Sequence, residues 1–558
     1  MGGLTWIDWL IVVIYASSTL ALGWYFSRRQ NDTKEYFVGS GNMNSALIGV
    51  SLFATLLSTI SYLSMPGEVL GKGPVYMSNL LALPLVFLIV GYVLLPVYMR
   101  YRVTSAYELL EARLGVSIRM LGVVMFLSLR LVWMSLLVYL TAKALTVMID
   151  VDESWIPAVV LVTGLVSVTY ASLGGLRAVV ITDLMQTILL FGGAVLVIVM
   201  ITIDFGGFGW FPTEWQSNWD TQPLFSFDPS TRVTVLGAIL TVLVWQVCTA
   251  GGDQVSVQRF MSTQDAVAAR RSFGTQMIVS AVVASTLCLV GFALLAYFEA
   301  HPESLPQGMD LKADADKMFP HFIAFHLPVG ISGLVVSAMF AAAMSSIDSG
   351  VNSITAVVTT DILDRFGKKP ETERGHLFVA RSLAFGIGAA VVVGSMFVGQ
   401  IPGNITEVTN KTVNLMVPMI FSLFFFALFV PFSKPAAVWI GWLCGMTTAI
   451  LIAFSPSPLA LLLVAILDSI FAIVFTIRFR VWGRTFSDRV AWYIGMGISL
   501  SIETAVGVLY LEYGTQLPTI SFQWIGPTSL FVNLSVGLVV SLLLSSVGPP
   551  KIEPDVNS

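Results

Sequence analysis

The chain contains repeated apolar runs, each long enough to cross a lipid bilayer as a helix. A transmembrane helix needs about 20 predominantly apolar residues, and about fifteen such runs fall between residues 5 and 544. Hydrophobic residues make up 56% of the 558 residues and charged residues only 11%, whereas a soluble domain carries about 25% charged residues. The sequence therefore predicts an all-α integral membrane protein.

The predicted spans follow from these runs and from the charged segments that separate them. They are residues 5–26, 46–70, 77–99, 120–148, 155–173, 179–203, 233–257, 275–298, 329–360, 380–398, 412–430, 436–454, 459–477, 490–511 and 530–544. The first run is too long for a signal peptide and has no basic residues before it. We therefore expect it to be a true span.

Arginine and lysine residues are unevenly distributed between alternate connections. One set holds most of them, for example Arg28, Arg29, Arg100 and Arg259, and the other holds few, such as Lys72 and Arg232. Because basic residues accumulate in cytoplasmic connections, we expect the N-terminus outside and the C-terminal tail inside. The predicted location is the plasma (cytoplasmic) membrane, with multiple crossings.

The sequence argues against soluble and catalytic functions. The three cysteines, Cys248, Cys288 and Cys444, all lie in apolar runs, which disfavours a disulfide framework or a zinc site. No nucleophile–base pair or metal cluster is visible within the spans, so we expect no enzyme. The expected partners are a small solute and the lipid bilayer, with no nucleic acid.

A polar strip interrupts the ninth predicted span. Ala342, Ser345 and Ser346 stand at i, i+3 and i+4 and share one helix face, and Asp348 and Ser349 continue that strip one turn later. A carboxylate at mid-membrane costs about 2.5–3.5 kcal/mol, so it needs a partner. Hydroxyls, carbonyls and an acid are hard oxygen ligands that suit a small alkali cation. The alternative is that the serines only allow close helix packing.

Two predicted spans are interrupted at matching positions. The second contains Pro66-Gly67 after a hydroxyl-rich stretch, and the seventh contains Gly251-Gly252. Counted from the second span, these are the first and sixth helices, where a five-plus-five inverted repeat places its broken helices. Broken helices are tolerated where they line a cavity, which favours a transport site over ordinary kinks.

Four segments resemble the sodium/solute symporter family. They are YFVGSG at residues 36–41, GGLRAVVITD at 174–183, DQVSVQR at 253–259, and AAMSS at 342–346 continuing to TDI at 360–362. The resemblance covers roughly residues 30–430. It implies sodium-coupled symport by alternating access and a LeuT-type fold, in which ten core helices form two inverted repeats and further helices are peripheral.

The resemblance also implies a division of the chain. Residues 1–30 would form an N-terminal peripheral helix and residues 31–431 the ten-helix core. Residues 432–547 would form C-terminal peripheral helices, and residues 548–558 a short cytoplasmic tail.

The resemblance implies a sodium site shared across the family. Its ligands would be the backbone carbonyls of Ala54, Leu57 and Ala342 and the hydroxyls of Ser345 and Ser346. This set agrees with the polar strip on the ninth span.

Some family members hold a second sodium ion, and the matching residues here are Asp183, Ser345, Asp348 and Ser349. Asp348 departs from the usual hydroxyl. It would either strengthen cation binding or pair with Arg130 or a proton. Asp183 could instead cap its helix. One or two coupled sodium ions are therefore expected.

The resemblance places the solute beside the two broken helices. The matching residues are Ser58, Thr59, Ser61, Gln246 and Thr249. Galactose-transporting relatives carry a glutamine at the position of Ser61, although Gln246 could replace an asparagine that they use. A galactose carrier is therefore disfavoured.

Arg130 points to the charge of the solute. A guanidinium offers two parallel donors, the shape that a carboxylate requires. Sialic-acid-transporting relatives use an arginine of the third core helix in this way, with hydroxyls at the positions of Ser58 and Ser61. A carboxylate such as a sugar acid or a monocarboxylate is thus expected. The alternatives are a neutral sugar or polyol, a proton-coupled carrier, and a structural role in which Arg130 pairs with Asp183 or Asp348.

Overall fold

The structure is a computed structural model that describes residues 4–27, 43–101, 105–305, 308–367, 372–398, 405–455, 457–482, 486–513 and 517–545. Over these ranges the secondary structure is helical, and no strand occurs in them. The loop motif at residues 36–41 and the predicted tail, residues 548–558, lie outside the described ranges.

The chain divides into two compact units, of which the first comprises Met1–Ser105, Leu127–Leu224 and Gln254–Thr412. The helices of the two units are numbered together in chain order, so the numbers missing here belong to the second unit. The helices of the first unit are α1 (Trp6–Ser27), α2 (Ser45–Leu56), α3 (Thr59–Lys72), α4 (Pro74–Tyr98), α6 (Val116–Met148), α7 (Ile156–Asp204), α9 (Gln254–Met261), α10 (Ala266–Ala300), α11 (Ala315–Phe325), α12 (Ile331–Val357) and α13 (Glu373–Ser395). The first residues of α6 belong to the second unit.

The second unit comprises Ala106–Phe126, Phe225–Asp253 and Val413–Ser558. Its helices are α5 (Glu108–Leu114), α8 (Val235–Gly252), α14 (Ile405–Phe429), α15 (Pro435–Ala453), α16 (Leu459–Trp482), α17 (Phe486–Tyr513) and α18 (Ile525–Ser545). Helices α15 and α18 pack closely because Gly441 meets the backbone of α18 at Asn533 and Gly537.

The number of spans differs from the sequence prediction. Among the described residues, 12 helices are long and apolar enough to cross a membrane, or 13 if α2 and α3 are counted as one bent span. The two remaining predicted spans coincide with shorter apolar helical stretches, Trp6–Leu22 and Glu153–Leu165. The count of fifteen is therefore not confirmed. Apart from its first residue, predicted span 155–173 falls within α7 together with span 179–203, and α7 is 49 residues long.

The first helix break lies earlier than the sequence suggested. Helix α2 ends at Leu56, Leu57 and Ser58 are extended, and α3 resumes at Thr59 with a bend of 66°. Pro66 lies inside α3 and does not break it. Gly67 instead permits close packing, because a Cβ atom there would lie 2.6 Å from Asp316 Oδ1. The Pro-Gly pair therefore marks a helix contact.

The second break also lies beside its glycine pair. Helix α8 continues through Gly251 and Gly252, Asp253 is extended, and α9 begins at Gln254. A Cβ atom on Gly252 would meet the backbone of Phe421 at 2.9 Å. Gly252 therefore allows α8 to approach α14 within the second unit.

Helix α1 supports the start of α12. Asp8 is buried in α1, and its Oδ1 accepts hydrogen bonds from the backbone N–H groups of Gly330 at 2.7 Å and Gly333 at 2.9 Å. The first N–H groups of a helix have no partner within it. Asp8 satisfies two of these groups, and a carboxylate there also favours the helix dipole.

Candidate functional site

Oxygen atoms from two helices converge where α2 ends. The last carbonyls of a helix have no N–H partner within it. Ser346 Oγ, on α12, donates to the carbonyl of Thr55 at 3.2 Å and reaches that of Leu57 at 3.5 Å. Ser346 is 2% exposed. The bend thus brings carbonyls that the helix cannot satisfy against a buried hydroxyl.

The residues predicted for the shared sodium site all lie in this buried region of the first unit. Ala54 and Leu57 are at the end of α2, and Ala342 lies one turn before Ser345 and Ser346 on α12. The structure adds the Thr55 carbonyl, which the sequence reasoning did not include. Their role as sodium ligands stays a prediction.

Asp183 joins α7 to α2 and α12. Its Oδ1 accepts a hydrogen bond from Ser345 Oγ at 2.5 Å, and its Oδ2 accepts one from Ser51 Oγ at 2.5 Å. Asp183 is fully buried and lies in the interior of α7, so it does not cap that helix. A buried carboxylate with two short hydroxyl partners is a strong electrostatic anchor.

Arg259 is the main residue that the sequence reasoning missed. Its predicted place was a cytoplasmic connection, yet it lies on α9 with no exposed surface. Its Nε donates to Ser51 Oγ at 2.9 Å, and its Nη2 donates to Ser349 Oγ at 2.6 Å and lies 3.6 Å from Asp183 Oδ2. The sequence did contain an indication that Arg259 belongs to the site, because Arg259 is the last residue of the DQVSVQR motif, directly after Gln258.

The predicted second sodium site therefore already contains a cationic side chain. Asp183 and Ser349 both face the guanidinium of Arg259, and Thr55 Oγ1 lies 3.0 Å from Ser349 Oγ. Ser349 Oγ also donates to Asp348 Oδ1 at 3.3 Å. The other oxygen, Asp348 Oδ2, is buried and has no hydrogen-bond partner within the part of the chain described.

The predicted solute residues of the first unit have different surroundings. Ser58 Oγ, at the bend, is buried and has no hydrogen-bond partner among the described residues. Thr59 Oγ1 donates to the Met339 carbonyl at 3.1 Å and so ties α3 to α12. Ser61 is half-buried on α3. Arg130, on α6, is 5% exposed and lies near enough to Arg259 to act on it electrostatically.

The other two predicted solute residues belong to the second unit. Gln246 and Thr249 lie on α8, one turn apart and close to the break at Asp253. Both are buried, and Thr249 Oγ1 has no hydrogen-bond partner in the described ranges. Thr249 thus presents an unsatisfied hydroxyl next to the end of its helix.

A cavity of about 420 Å³ lies in the first unit, away from the predicted solute residues. Its lining combines apolar side chains with four charged ones, and consists of Leu63, Leu136, Tyr139, Leu140, Lys143, Ala144, Val147, Ala313, Asp314, Asp316, Lys317, Pro320, Val398, Ile405 and Val408. None of the predicted solute residues lines it. We therefore assign the chemistry to the helix break and not to this cavity.

Asp183, Asp348 and Arg259 form a charged cluster in which each residue is at most 1% exposed. Arg259 can compensate one of the two carboxylates. A second buried carboxylate that stays uncompensated either takes up a proton or binds a cation.

Comparison with known proteins gives a family match. The model of the sodium:solute symporter family matches residues 36–445. A sodium/sialic acid symporter, SiaT, of Proteus mirabilis is 30% identical over 454 residues, covering 78% of this chain and 87% of SiaT. Sodium-coupled monocarboxylate transporter 1 of Xenopus laevis is 25% identical over 473 residues, covering 82% of this chain and 74% of the transporter.

A solved structure supports the fold. The substrate-bound outward-open state of a Na⁺-coupled sialic acid symporter superposes with a TM-score of 0.72 and 23% identity. The match covers 97% of this chain and 98% of that protein. The all-helical architecture is thus shared along almost the whole chain.

Proposed function

The chain belongs to the sodium:solute symporter family, and we propose that it carries a small organic carboxylate across the membrane together with sodium. It is a sodium-coupled symporter of a small organic solute, with a LeuT-type fold. In this fold two inverted repeats alternate access to a site between broken helices.

The observation that carries the sodium part of the proposal is the contact between Ser346 and the end of α2. One buried hydroxyl lies 3.2 Å and 3.5 Å from the carbonyls of Thr55 and Leu57. Hydroxyl and carbonyl oxygens suit a hard cation. We propose that Na⁺ binds here with the carbonyls of Ala54, Leu57 and Ala342 and the hydroxyls of Ser345 and Ser346, and that its binding fixes the angle between α2 and α3.

The carboxylate part of the proposal is supported by Arg130 and by the relatives. SiaT carries a sugar acid and the Xenopus protein monocarboxylates, according to their names. In this chain the buried Arg130 and the Ser58 hydroxyl, which has no hydrogen-bond partner among the described residues, offer a charged and a neutral contact for such a solute. Ser61, on the same helix as Thr59, would add a further contact, whereas Thr59 is held by Met339. Solute binding by Gln246 and Thr249 stays a prediction from the family resemblance.

The membrane arrangement is a further part of the proposal. We propose a location in the plasma membrane with the N-terminus outside and the C-terminus inside, because basic residues favour the cytoplasmic side. We also propose that residues 31–431 form the transport core between peripheral helices at residues 1–30 and 432–547.

The sodium site is tested by uptake into proteoliposomes. Ser346→Ala removes one ligand, so the sodium concentration for half-maximal uptake should rise about tenfold, which corresponds to about 1.4 kcal/mol. The matched control is Ser337→Ala on the same helix, because among the described residues Ser337 Oγ bonds only to the Gly333 carbonyl of its own helix, at 2.8 Å. Equal effects of the two changes would refute the assignment.

The solute class is tested by competition. Sialic acid and short monocarboxylates should inhibit uptake, whereas neutral sugars and polyols should not. Arg130→Gln should abolish this difference between the two solute classes. Arg130→Lys keeps the positive charge but loses the paired donors of the guanidinium. Competition by neutral polyols alone would favour a polyol carrier. Undiminished uptake in sodium-free, acidic buffer would favour a proton-coupled carrier.

A further inference from the structure

Two carboxyl groups meet inside the second unit, where helices α16 and α17 pack against each other. Asp468 is the central residue of the candidate span Leu459–Ile477, and Glu503 lies close to the centre of the span Arg489–Tyr513. Asp468 has no exposed surface. The side chain of Glu503 is within hydrogen-bonding reach of Asp468. Two acids therefore share one contact at mid-depth in the bilayer.

The register of the two helices produces this contact. Ser499 Oγ, on α17, donates to Asp468 Oδ2 at 2.8 Å. Glu503 follows Ser499 at i+4 and so lies on the same face of α17, one turn further along. The Glu503 carboxyl is thus directed to the side of α17 that α16 covers.

Apolar contacts enclose the acids along the helix axis. On one side of them, a Cβ atom on Gly495 would lie 2.5 Å from the ring of Phe475, so the backbone of α17 touches that ring. On the other side, Val506 of α17 packs against the apolar cluster that contains Ala460 and Leu461 of α16. Water has no polar path to the acids along this interface.

The neighbouring helices supply no cation. Helices α15 and α18 pack against this pair of helices, and their sequences contain no aspartate, glutamate, histidine, lysine or arginine. The titratable group of α15 that acts on Asp468 is the thiol of Cys444. A thiol offers no positive charge, so α15 and α18 leave the acids uncompensated.

The basic residues of α16 and α17 are also too distant. The nearest are Arg478, ten residues after Asp468, and Arg489, fourteen residues before Glu503. At 1.5 Å per residue these offsets correspond to about 15 Å and about 21 Å along the helices. Tyr510, two turns beyond Glu503, is exposed. A salt bridge within these helices therefore does not neutralise the pair.

The hydrogen-bond pattern indicates what is missing. Asp468 Oδ1 is buried and receives no hydrogen bond from any described residue. A carboxyl such as Glu503 only accepts hydrogen bonds when it is ionised, and it donates one when it is protonated. Two ionised carboxylates in contact repel each other, so such a pair favours sharing one proton. One proton would both satisfy Asp468 and remove the repulsion.

We infer that Asp468 and Glu503 form a proton-binding site within the membrane, in which one shared proton links α16 to α17. Glu503 holds the proton and donates to Asp468, while Ser499 donates to Asp468 Oδ2. The negative charge that remains is spread over both carboxyl groups. The site lies in the C-terminal helices, after residue 432, and the inference goes beyond the proposed function.

Infrared difference spectroscopy of the purified full chain at neutral pH detects the proton. A protonated carboxyl has a C=O stretching band that an ionised carboxylate lacks. Glu503→Gln keeps a donor beside Asp468 but carries no acidic proton, so this variant should lose the band. Glu512→Gln is the matched control, because Glu512 is an exposed acid on the same helix, and it should keep the band.

A second variant tests whether the proton is shared. Asp468→Asn replaces a charged acceptor by a neutral one, so it should alter the frequency of the protonated band. An unaltered band would mean that Glu503 holds its proton without Asp468, which would overturn the inference.

The pH dependence of unfolding measures the same proton independently. In the unfolded chain both carboxyls are in water and ionised at neutral pH, so the folded protein binds one proton more. Stability should therefore fall as the pH rises, and one proton corresponds to about a tenfold change in the unfolding equilibrium constant per pH unit. Glu503→Gln should remove this contribution, whereas Glu512→Gln should retain it.

Three further results would overturn the inference. They are the absence of a protonated band in the unchanged protein, a band that survives Glu503→Gln, and equal pH slopes in these two proteins. A midpoint of unfolding that rises with sodium or potassium in the unchanged protein, but not in Glu503→Gln, would assign the site to an alkali cation instead. Sodium-driven uptake tests the proposed function separately, so it stands or falls independently of these results.

Discussion

At the residue scale, Arg259 connects most of the polar groups around the ion cluster. It contacts Ser51 on α2, Asp183 on α7 and Ser349 on α12, and it does so without solvent access. A lysine could supply the charge, but its donors lie on one nitrogen and not on separate nitrogens of a rigid planar group. Arg259 therefore ties α9 to α2, α7 and α12.

We predict that Arg259→Gln destabilises the protein by about 3–5 kcal/mol, because it leaves Asp183 as an uncompensated buried charge. Asp183→Asn in the same chain should restore most of that loss, since both charges are then removed. Thermal unfolding of the two single variants and the double variant in detergent measures the coupling. Additive losses in the double variant would show that the pair does not act as a unit.

The sequence was sufficient to predict the serine and aspartate strip of α12 but not its cationic partner. Ser345, Asp348 and Ser349 stand at helical spacing within an apolar run, and polar residues in such a run indicate a functional site. Arg259 lies near a predicted boundary, where an arginine is expected for reasons of topology. Its burial depends on tertiary packing of α9 against α2 and α12, which no local pattern encodes.

At the element scale, both helix breaks occur next to, but not at, the residues that usually break helices. Pro66-Gly67 and Gly251-Gly252 serve close packing, and the extended residues are Leu57, Ser58 and Asp253. The sequence therefore predicted which helices are broken but not where. The first break lies where the free carbonyls at the end of α2 meet a buried hydroxyl, as the Thr55 carbonyl meets Ser346 Oγ.

The cap that α1 supplies to α12 leads to a second prediction. Asp8→Ala removes the acceptor for two N–H groups and should cost about 1–2 kcal/mol of stability. Asp8→Asn keeps one oxygen acceptor, so its loss should be smaller. Thermal unfolding of both variants tests this, and equal losses would mean that the carbonyl oxygen alone does not replace the cap.

A third prediction concerns a histidine cluster outside the candidate spans. His321 on α11 stacks on Phe325 with ring centroids 4.6 Å apart, and Tyr297 Oη lies 3.3 Å from His326 Nδ1. Burial, followed by the nearby charge of His326, lowers the pKa of His321 from 6.5 to about 4. Burial also lowers the pKa of His326.

Because the folded protein holds these imidazoles neutral, the unfolded chain binds more protons between about pH 4 and 6.5. The stability that they contribute should be complete above pH 6.5 and should decline as the pH falls towards 4. His321→Phe keeps the stacked ring and removes its proton, so the decline should become shallower. A midpoint of unfolding that falls equally steeply in both proteins would contradict this assignment.

At the scale of the whole molecule, ion number decides how transport responds to voltage. A monovalent carboxylate with one sodium ion moves no net charge. With two sodium ions it moves one positive charge, which gains about 2.3 kcal/mol across 100 mV. The number of coupled sodium ions is therefore measurable as an electrical property of uptake.

We predict that an inside-negative potential of about 100 mV raises the equilibrium accumulation of the carboxylate about fiftyfold. The measurement is uptake of labelled solute into proteoliposomes with potassium diffusion potentials of either sign. Uptake that is indifferent to potential would indicate one sodium ion per carboxylate.

The attachment of α1 to α12 has a practical consequence for anyone who shortens the protein. Asp8 accepts hydrogen bonds at the start of α12, the helix that carries Ser345 and Ser346, and Tyr15 packs against the middle of that helix. Removing the first 27 residues to aid crystallisation would remove both contacts at once. Weak solute binding by such a shortened protein would then reflect the loss of these contacts with α12. Solutes should therefore be screened on protein that keeps the first 27 residues.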